Sequence, residues 1–305
     1  MTMPNFLLIG AQKAGTTALN YYLKEHPQIY MSPVKEPGFF DFEGNKPNFT
    51  GPGDQELYDH VPTNVESYCK LFQGVTDEVA VGEATTWYLY SPRAPERIKY
   101  YIPHAKLIVI LRNPVDRAYS AFMHAVRDER EPITDFSQAL REEKVRTSQN
   151  WEYLWHYKQM GFYYGQLKRY FDLFESSQIK IYLYEDLKDH PVALMQDVCQ
   201  FLNVNKSLIS GSPPRRNVSG LPRIKLLDYF LKKQNLKWLK APLKLVIPPK
   251  VRESIIINLK NNNRTKPQML SDVEVELAKM YHEDVLRLQE LIDRDLSSWL
   301  GEMKI

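Results

Sequence analysis

Cysteine is nearly missing from this chain: Cys69 and Cys199 are the only two in 305 residues. That argues against a disulfide framework and leads us to expect a reducing, cytoplasmic setting. Charge of one sign is also lacking. The balance is +3, from 40 basic and 37 acidic residues, so no global field calls for nucleic acid and any basic patch must be local. No apolar run approaches the roughly 18 residues that span a bilayer. The first strand-like run begins at residue 6, so no signal peptide is expected. The seven histidines and two cysteines fall into no metal-ligand spacing, and no Ser-His-Asp or Cys-His arrangement stands out. Metal and acyl-transfer chemistry therefore have no visible footing.

Core-forming residues are plentiful, at 43% hydrophobic and 12% aromatic. Together with the length they suit one large domain over residues 1–305, with a core at 5–202 and a C-terminal loop and helical extension at 203–305. The stretch at 5–41, NFLLIGAQKAGTTALNYYLKEHPQIYMSPVKEPGFFD, organises it. FLLI at 6–9 is continuous and apolar, as expected of a strand buried on both faces. A small-residue loop follows at 10–15, bounded by Gly10 and Gly15, with Lys13 and Ala14 inside it. Thr16 and Thr17 then open a helical pattern with Leu19 and Leu23 on one side. Strand, glycine-bounded loop and helix start present backbone N–H groups and a positive dipole end to an anion. The glycine spacing is that of a nucleotide-triphosphate loop, yet the Lys-Ser/Thr pair that should follow is replaced by Thr16-Thr17. A lysine inside the loop suits a shorter anion with no terminal phosphate to transfer.

Further along, 42–65 reads as a long irregular loop and 79–82 as a second buried strand. A brief helix is expected at 95–101, a third strand at 106–111 (KLIVIL), and a helix from Pro114 to about Arg127. Asp135 reads as a helix cap. Tyr157, Met160, Tyr164, Leu167 and Phe171 form an aromatic stripe at helical spacing, taken as core. A fourth strand lies at 179–184 and a helix at 191–202. Strands alternating with helices imply a parallel sheet in a three-layer α/β sandwich, with the site at the strands' carboxyl ends. Residues 224–263 are basic and apolar by turns, so a peripheral membrane or acidic-polymer contact stands beside a plain surface helix. The chain closes with a helical region at 270–300, where Ser271 and Glu274 suggest a capping box.

Two further segments carry chemistry. Arg112 directly follows KLIVIL and is succeeded by NPVDRAYS, so its guanidinium can grip an anion bidentately where a P-loop NTPase would place an acidic residue for Mg²⁺. Two turns of helix could return Ser120 toward the same anion; the alternative is an Arg117 paired with Asp116 or Glu131. Glu36, in KEPGFFD, is a carboxylate set among rings, a setting suited to a general base.

GAQKAGTT followed by KEPGFF closely resembles the 5′-phosphosulfate loop and acceptor segment of sulfotransferases, nearest the carbohydrate (heparan-sulfate-type) branch and its bacterial relatives. RNPVDRAYS resembles that family's 3′-phosphate motif, R-x-P-x-x-R-x-x-S. The resemblance covers most of 5–202 and implies a P-loop-like sulfotransferase fold using 3′-phosphoadenosine 5′-phosphosulfate (PAPS) without metal; Golgi members carry an N-terminal membrane anchor that is not seen here, so a soluble, bacterial-type enzyme is expected. It assigns Gly10, Lys13, Ala14, Gly15, Thr16 and Thr17 to the 5′-phosphate, and Arg112 and Ser120 to the 3′-phosphate. It makes Glu36 the catalytic base with Asp41 orienting it, and Lys13 the group that neutralises the leaving oxygen. Arg216 and Gly220, in RRNVSG at 215–220, correspond approximately to a loop closing over the 3′-phosphate; a solvated pair Arg215-Arg216 is the alternative. GEATTW at 82–87 departs from the family's G-E-K-[ST]-P, Ala84 replacing its lysine. His124 is left as a packing residue or alternative base. A carbohydrate or glycolipid acceptor is expected, with oligomeric state open. The rival readings are a P-loop nucleotide kinase and a non-catalytic anion- or polysaccharide-binding protein on the same fold.

Overall fold

The computed structural model describes residues 2–208 and 267–301, with 221–222, 259 and 263–265 between them. Five parallel strands form the central sheet: β1 (Phe6–Gly10), β2 (Ile29–Met31), β3 (Ala80–Ala84), β4 (Lys106–Leu111) and β5 (Ile179–Leu183), in the order β2-β3-β1-β4-β5. The order explains the sequence pattern. β1 is central, and all five of its residues are buried, as a strand covered on both faces must be. β2 is only three residues long and escapes a pattern search that looks for runs of four or more.

Helices fill the connections: α1 (Thr16–Lys24), α2 (Phe39–Phe42), α3 (Asp54–Leu57), α4 (Val65–Cys69), α5 (Ala94–Tyr101), α6 (Pro114–Arg127), α7 (Phe136–Ser148), α8 (Tyr163–Phe171), α9 (Tyr184–Asp189), α10 (Pro191–Leu202) and, last, α11 (Ser271–Ile292). The path from β1 to β2 runs one way across the sheet and the path from β3 to β4 runs the other. Right-handed crossovers put those connections on opposite faces, which gives the three layers. Pro114 starts α6 and Asp135 caps α7 by accepting from the Gln138 N–H at 2.7 Å, both as expected.

Three local expectations change. The stripe from Tyr157 to Phe171 is not one helix, since short 3₁₀ turns occupy 153–155 and 159–161 before α8 begins at Tyr163. The break sits at Gly161, where an added Cβ would lie 2.7 Å from the Tyr281 ring, so α11 takes the space a regular turn would use. The loop at 42–65 carries α3. Ser271 does not cap α11: the cap is Leu270, with no side-chain cap bond, and the helix ends at Ile292.

α11 lies on the core through the Tyr281 hydroxyl, which donates to the Lys158 carbonyl at 2.9 Å, and through Asp284, which accepts from the Tyr164 N–H at 3.2 Å. Among the described residues no helix is long and apolar enough to cross a membrane.

Candidate active site

The strand order reverses at β1, so its carboxyl end opens a crevice between the ends of β3 and β4. A cavity of about 1190 Å³ lies there, lined by Lys13, Gly15, Thr16, Thr17, Glu36 and Arg112 among others. The chain leaves β1 at Gly10, where a Cβ would meet the Leu89 Cβ at 2.7 Å; only glycine fits. Lys13 (φ 70°) and Gly15 (φ 96°) are both left-handed, which curls the loop so that α1 starts at Thr16. No side chain caps α1, which leaves its first N–H groups for an anion.

Arg112 joins this loop to the end of β4. Its Nη1 donates to the Lys13 carbonyl at 3.2 Å, its plane lies 4.7 Å from the Tyr184 ring centre, and Asp116 stands 3.6 Å away. It is 7% exposed, and its buried Nε has no hydrogen-bond partner among the described residues. Burial, and then the Arg127 charge, lower the Lys13 ammonium to about 7. Asp128 and Glu36 pull the other way, which places both carboxylates within electrostatic reach of Lys13.

Glu36 is set differently from the expectation. Phe39 and Phe40 turn into the core with Tyr68, and the Glu36 carboxylate is 30% exposed in polar company. Thr86 Oγ1 donates to Glu36 Oε1 at 2.7 Å, and Lys35 Nζ donates to the same oxygen at 2.9 Å. Asp41 is not brought to Glu36. It is buried, accepts from Ser91 and from the Tyr153 hydroxyl at 2.9 Å, and burial raises its pKa. Ser120 is 1% exposed on α6, on the same helical stripe as Asp116 and His124. At 1.5 Å per residue it sits about 9 Å along the helix axis from Pro114. Gly10, Ala14, Asp41 and Ser120 are buried rather than on the cavity wall. Arg216 and Gly220, like the basic segment at 224–250, lie outside the described residues.

Sequence reasoning undervalued α6. Besides Asp116 it sends His124 and Arg127 to the cavity, and Asp128 follows at its C-terminal end, one face read every three or four residues. His124 is held neutral: burial, then Lys13 and Arg127, lower its pKa to about 3. Arg117 pairs with neither Asp116 nor Glu131. Its Nη2 donates to the Tyr157 carbonyl, while Glu131 is bound by Arg146 at 2.7 Å. The far end of the cavity is lined by Tyr58, Trp87 and Leu154, with Arg130 engaged by Asp54 and Glu152. Among the described residues no group of three or more His, Cys, Asp or Glu is placed to hold a metal ion.

The arrangement compares directly with known proteins. The sequence model of the sulfotransferase family matches residues 4–207. The chain belongs to that family. A crystal structure of a sulfotransferase from Alicyclobacillus acidocaldarius is 36% identical, with a TM-score of 0.76 covering 99% of this chain and 100% of that one. The membrane-associated sulfotransferase kil1 of Dictyostelium discoideum is 25% identical over 75% of this chain. The human bifunctional heparan sulfate N-deacetylase/N-sulfotransferase 2 is 30% identical over 68% of it. The chain spans 63% of the Dictyostelium protein and 22% of the human one. This sulfotransferase-family chain therefore shares its fold with a solved sulfotransferase over nearly its whole length.

Proposed function

We propose that this chain is a PAPS-dependent sulfotransferase, moving a sulfuryl group in line to a hydroxyl or amine of a carbohydrate or glycolipid acceptor. One observation carries the reading: Lys13 and Glu36 face one crevice, Lys13 on the anion loop that Arg112 grips by its carbonyl. The residues fit the donor. A glycine-bounded loop with an uncapped helix start suits the 5′-phosphate, and a buried guanidinium with an unused Nε suits the 3′-phosphate.

In this reading Thr16, Thr17 and the loop N–H groups hold the 5′-phosphate, while Arg112, with Ser120 behind it, holds the 3′-phosphate. Glu36 accepts the acceptor's proton as the nucleophile closes on sulfur. Lys13 meets the charge that develops on the departing phosphate oxygen, an interaction strongest in the transition state. The carbohydrate class rests on the relatives named for heparan sulfate N-sulfation. The packing of α11 on the core supports one domain across the chain.

The test is turnover of labelled PAPS with a panel of amino-sugar oligosaccharides, neutral glycosides and glycolipids. Glu36→Ala is expected to abolish transfer while 3′,5′-bisphosphoadenosine still binds. Unchanged transfer removes Glu36 as base, and no sulfated product from any panel member removes the carbohydrate acceptor.

A further inference from the structure

The end of β3 and the turn that follows it tie the general base to the donor loop. On one side, the Thr85 N–H donates to the Leu8 carbonyl at 3.1 Å and the Leu89 N–H to the Ile9 carbonyl at 2.9 Å. The Thr86 carbonyl lies 3.1 Å from where a Cβ on Gly10 would stand, so this turn presses directly on the start of the anion loop. On the other side, the Glu36 N–H donates to the Ala84 carbonyl at 2.8 Å, the Gly38 N–H to Thr85 Oγ1 at 3.2 Å, and Thr86 Oγ1 to Glu36 Oε1 at 2.7 Å. Thr85 is itself aimed: its hydroxyl donates to Glu83 Oε2 at 2.9 Å, which leaves an oxygen lone pair for Gly38.

Glu36 stands at φ 61°, a left-handed backbone that a side-chain-bearing residue keeps only where its surroundings impose it. The bonds just described impose it. Of the two donors on Oε1, Lys35 is 31% exposed and free to swing, whereas Thr86 is 2% exposed and fixed. Among the described residues no donor is directed at Oε2.

We propose that Thr86 is a positioning residue: it sets Glu36 against the anion loop, holding Oε1 so that Oε2 takes the acceptor's proton. The proposal rests on the reading of Glu36 as base. In the step it serves, the acceptor's O–H or N–H bond breaks, its proton passes to Oε2, and the freed electron pair forms the new bond to sulfur. The bond from sulfur to the 5′-phosphate oxygen breaks, and its electron pair leaves with the phosphate beside Lys13. In this role Thr86, itself on the cavity wall, acts through Glu36. It fixes the distance between the group that receives the proton and the loop that holds the leaving phosphate.

The experiment compares Thr86→Val, which keeps the shape and loses the hydroxyl, with Thr86→Ser, which keeps the hydroxyl, using PAPS and the acceptor that turns over in the panel. Thr86→Val should lower kcat about tenfold, with the KM for PAPS and the affinity for 3′,5′-bisphosphoadenosine within about twofold of the parent. Thr86→Ser should recover most of kcat. A Thr86→Val enzyme at parental kcat overturns the proposal, as does a fall in kcat matched by lost nucleotide binding or left unrescued by serine. Glu36→Gln run alongside separates the two claims. If it is active, the base assignment fails; if it is dead while Thr86→Val is normal, only the positioning role fails.

Discussion

In the proposed reading donor binding turns on Lys13, and its charge state makes that measurable. Burial and Arg127 bring it to about 7, against an ordinary 10.5. A phosphate dianion on the loop supplies the counter-charge that burial removes, so the bound form holds the proton more tightly than the free form. The sign follows. Below 7 the free enzyme already carries the proton, so the lysine adds no pH dependence there. Above 7 the free lysine is neutral and must take up a proton to bind, so affinity for 3′,5′-bisphosphoadenosine should fall toward tenfold per pH unit. His124, neutral throughout this range, contributes nothing to the slope. Calorimetry in two buffers of different ionisation enthalpy should show close to one proton taken up at pH 8, and Lys13→Gln should lose both the proton and the slope. A pH-independent affinity in the parent enzyme would remove Lys13 from the phosphate.

At the scale of elements, the proposed function gives the junction of β4 with α6 the other end of the nucleotide. Arg112 is fixed there by Tyr184 and by the Lys13 carbonyl, so its loss acts on two ligand parts unequally. Arg112→Ala should cost 3′,5′-bisphosphoadenosine roughly 10–100-fold in affinity, the size of a lost charge-assisted bond. Adenosine 5′-phosphosulfate, without the 3′-phosphate, should lose only the smaller part that comes from loosening the loop. Equal losses by calorimetry would contradict the assignment.

The same junction shows what the sequence could convey. FLLI and KLIVIL announce strands because central parallel strands are apolar on both faces, and the glycine spacing announces a tight loop because the crowded and left-handed positions are a backbone requirement. β2 was too short to signal. The polar setting of Glu36 was hidden because KEPGFFD does not say that its two rings pack inward against Tyr68 while Thr86, fifty residues away, supplies the bond. The cavity face of α6 was legible in principle, since Asp116, His124 and Arg127, with Asp128 just past the helix end, follow helical spacing. Only the fold says that this stripe faces Lys13.

For the molecule as a whole, ionisable groups are kept at the sheet's carboxyl end at the expense of stability. Glu83 is wholly buried behind the Thr85 hydroxyl, and burial raises it from 4.5 to about 7. The folded state therefore binds its proton more tightly than the unfolded chain does. Its contribution is fully present below 4.5 and is lost as pH rises through about 7. Lys13 has the opposite sign. Its folded value is lowered, so its contribution is present above 10.5 and is lost as pH falls through about 7. The two arms meet near neutrality, where the ligand-free protein carries both costs. Its Tm, corrected for other groups by comparison with variants, should therefore dip there. Glu83→Gln should raise Tm relative to the parent more at pH 8 than at pH 5, because only the parent must ionise a buried carboxyl in that interval. Lys13→Gln should raise it relatively more at pH 7 than at pH 10. Differential scanning calorimetry across that range decides the matter: a constant offset for Glu83→Gln at every pH would mean that the carboxyl titrates alike in the folded and unfolded chains. The sheet end would then not hold it as a buried acid.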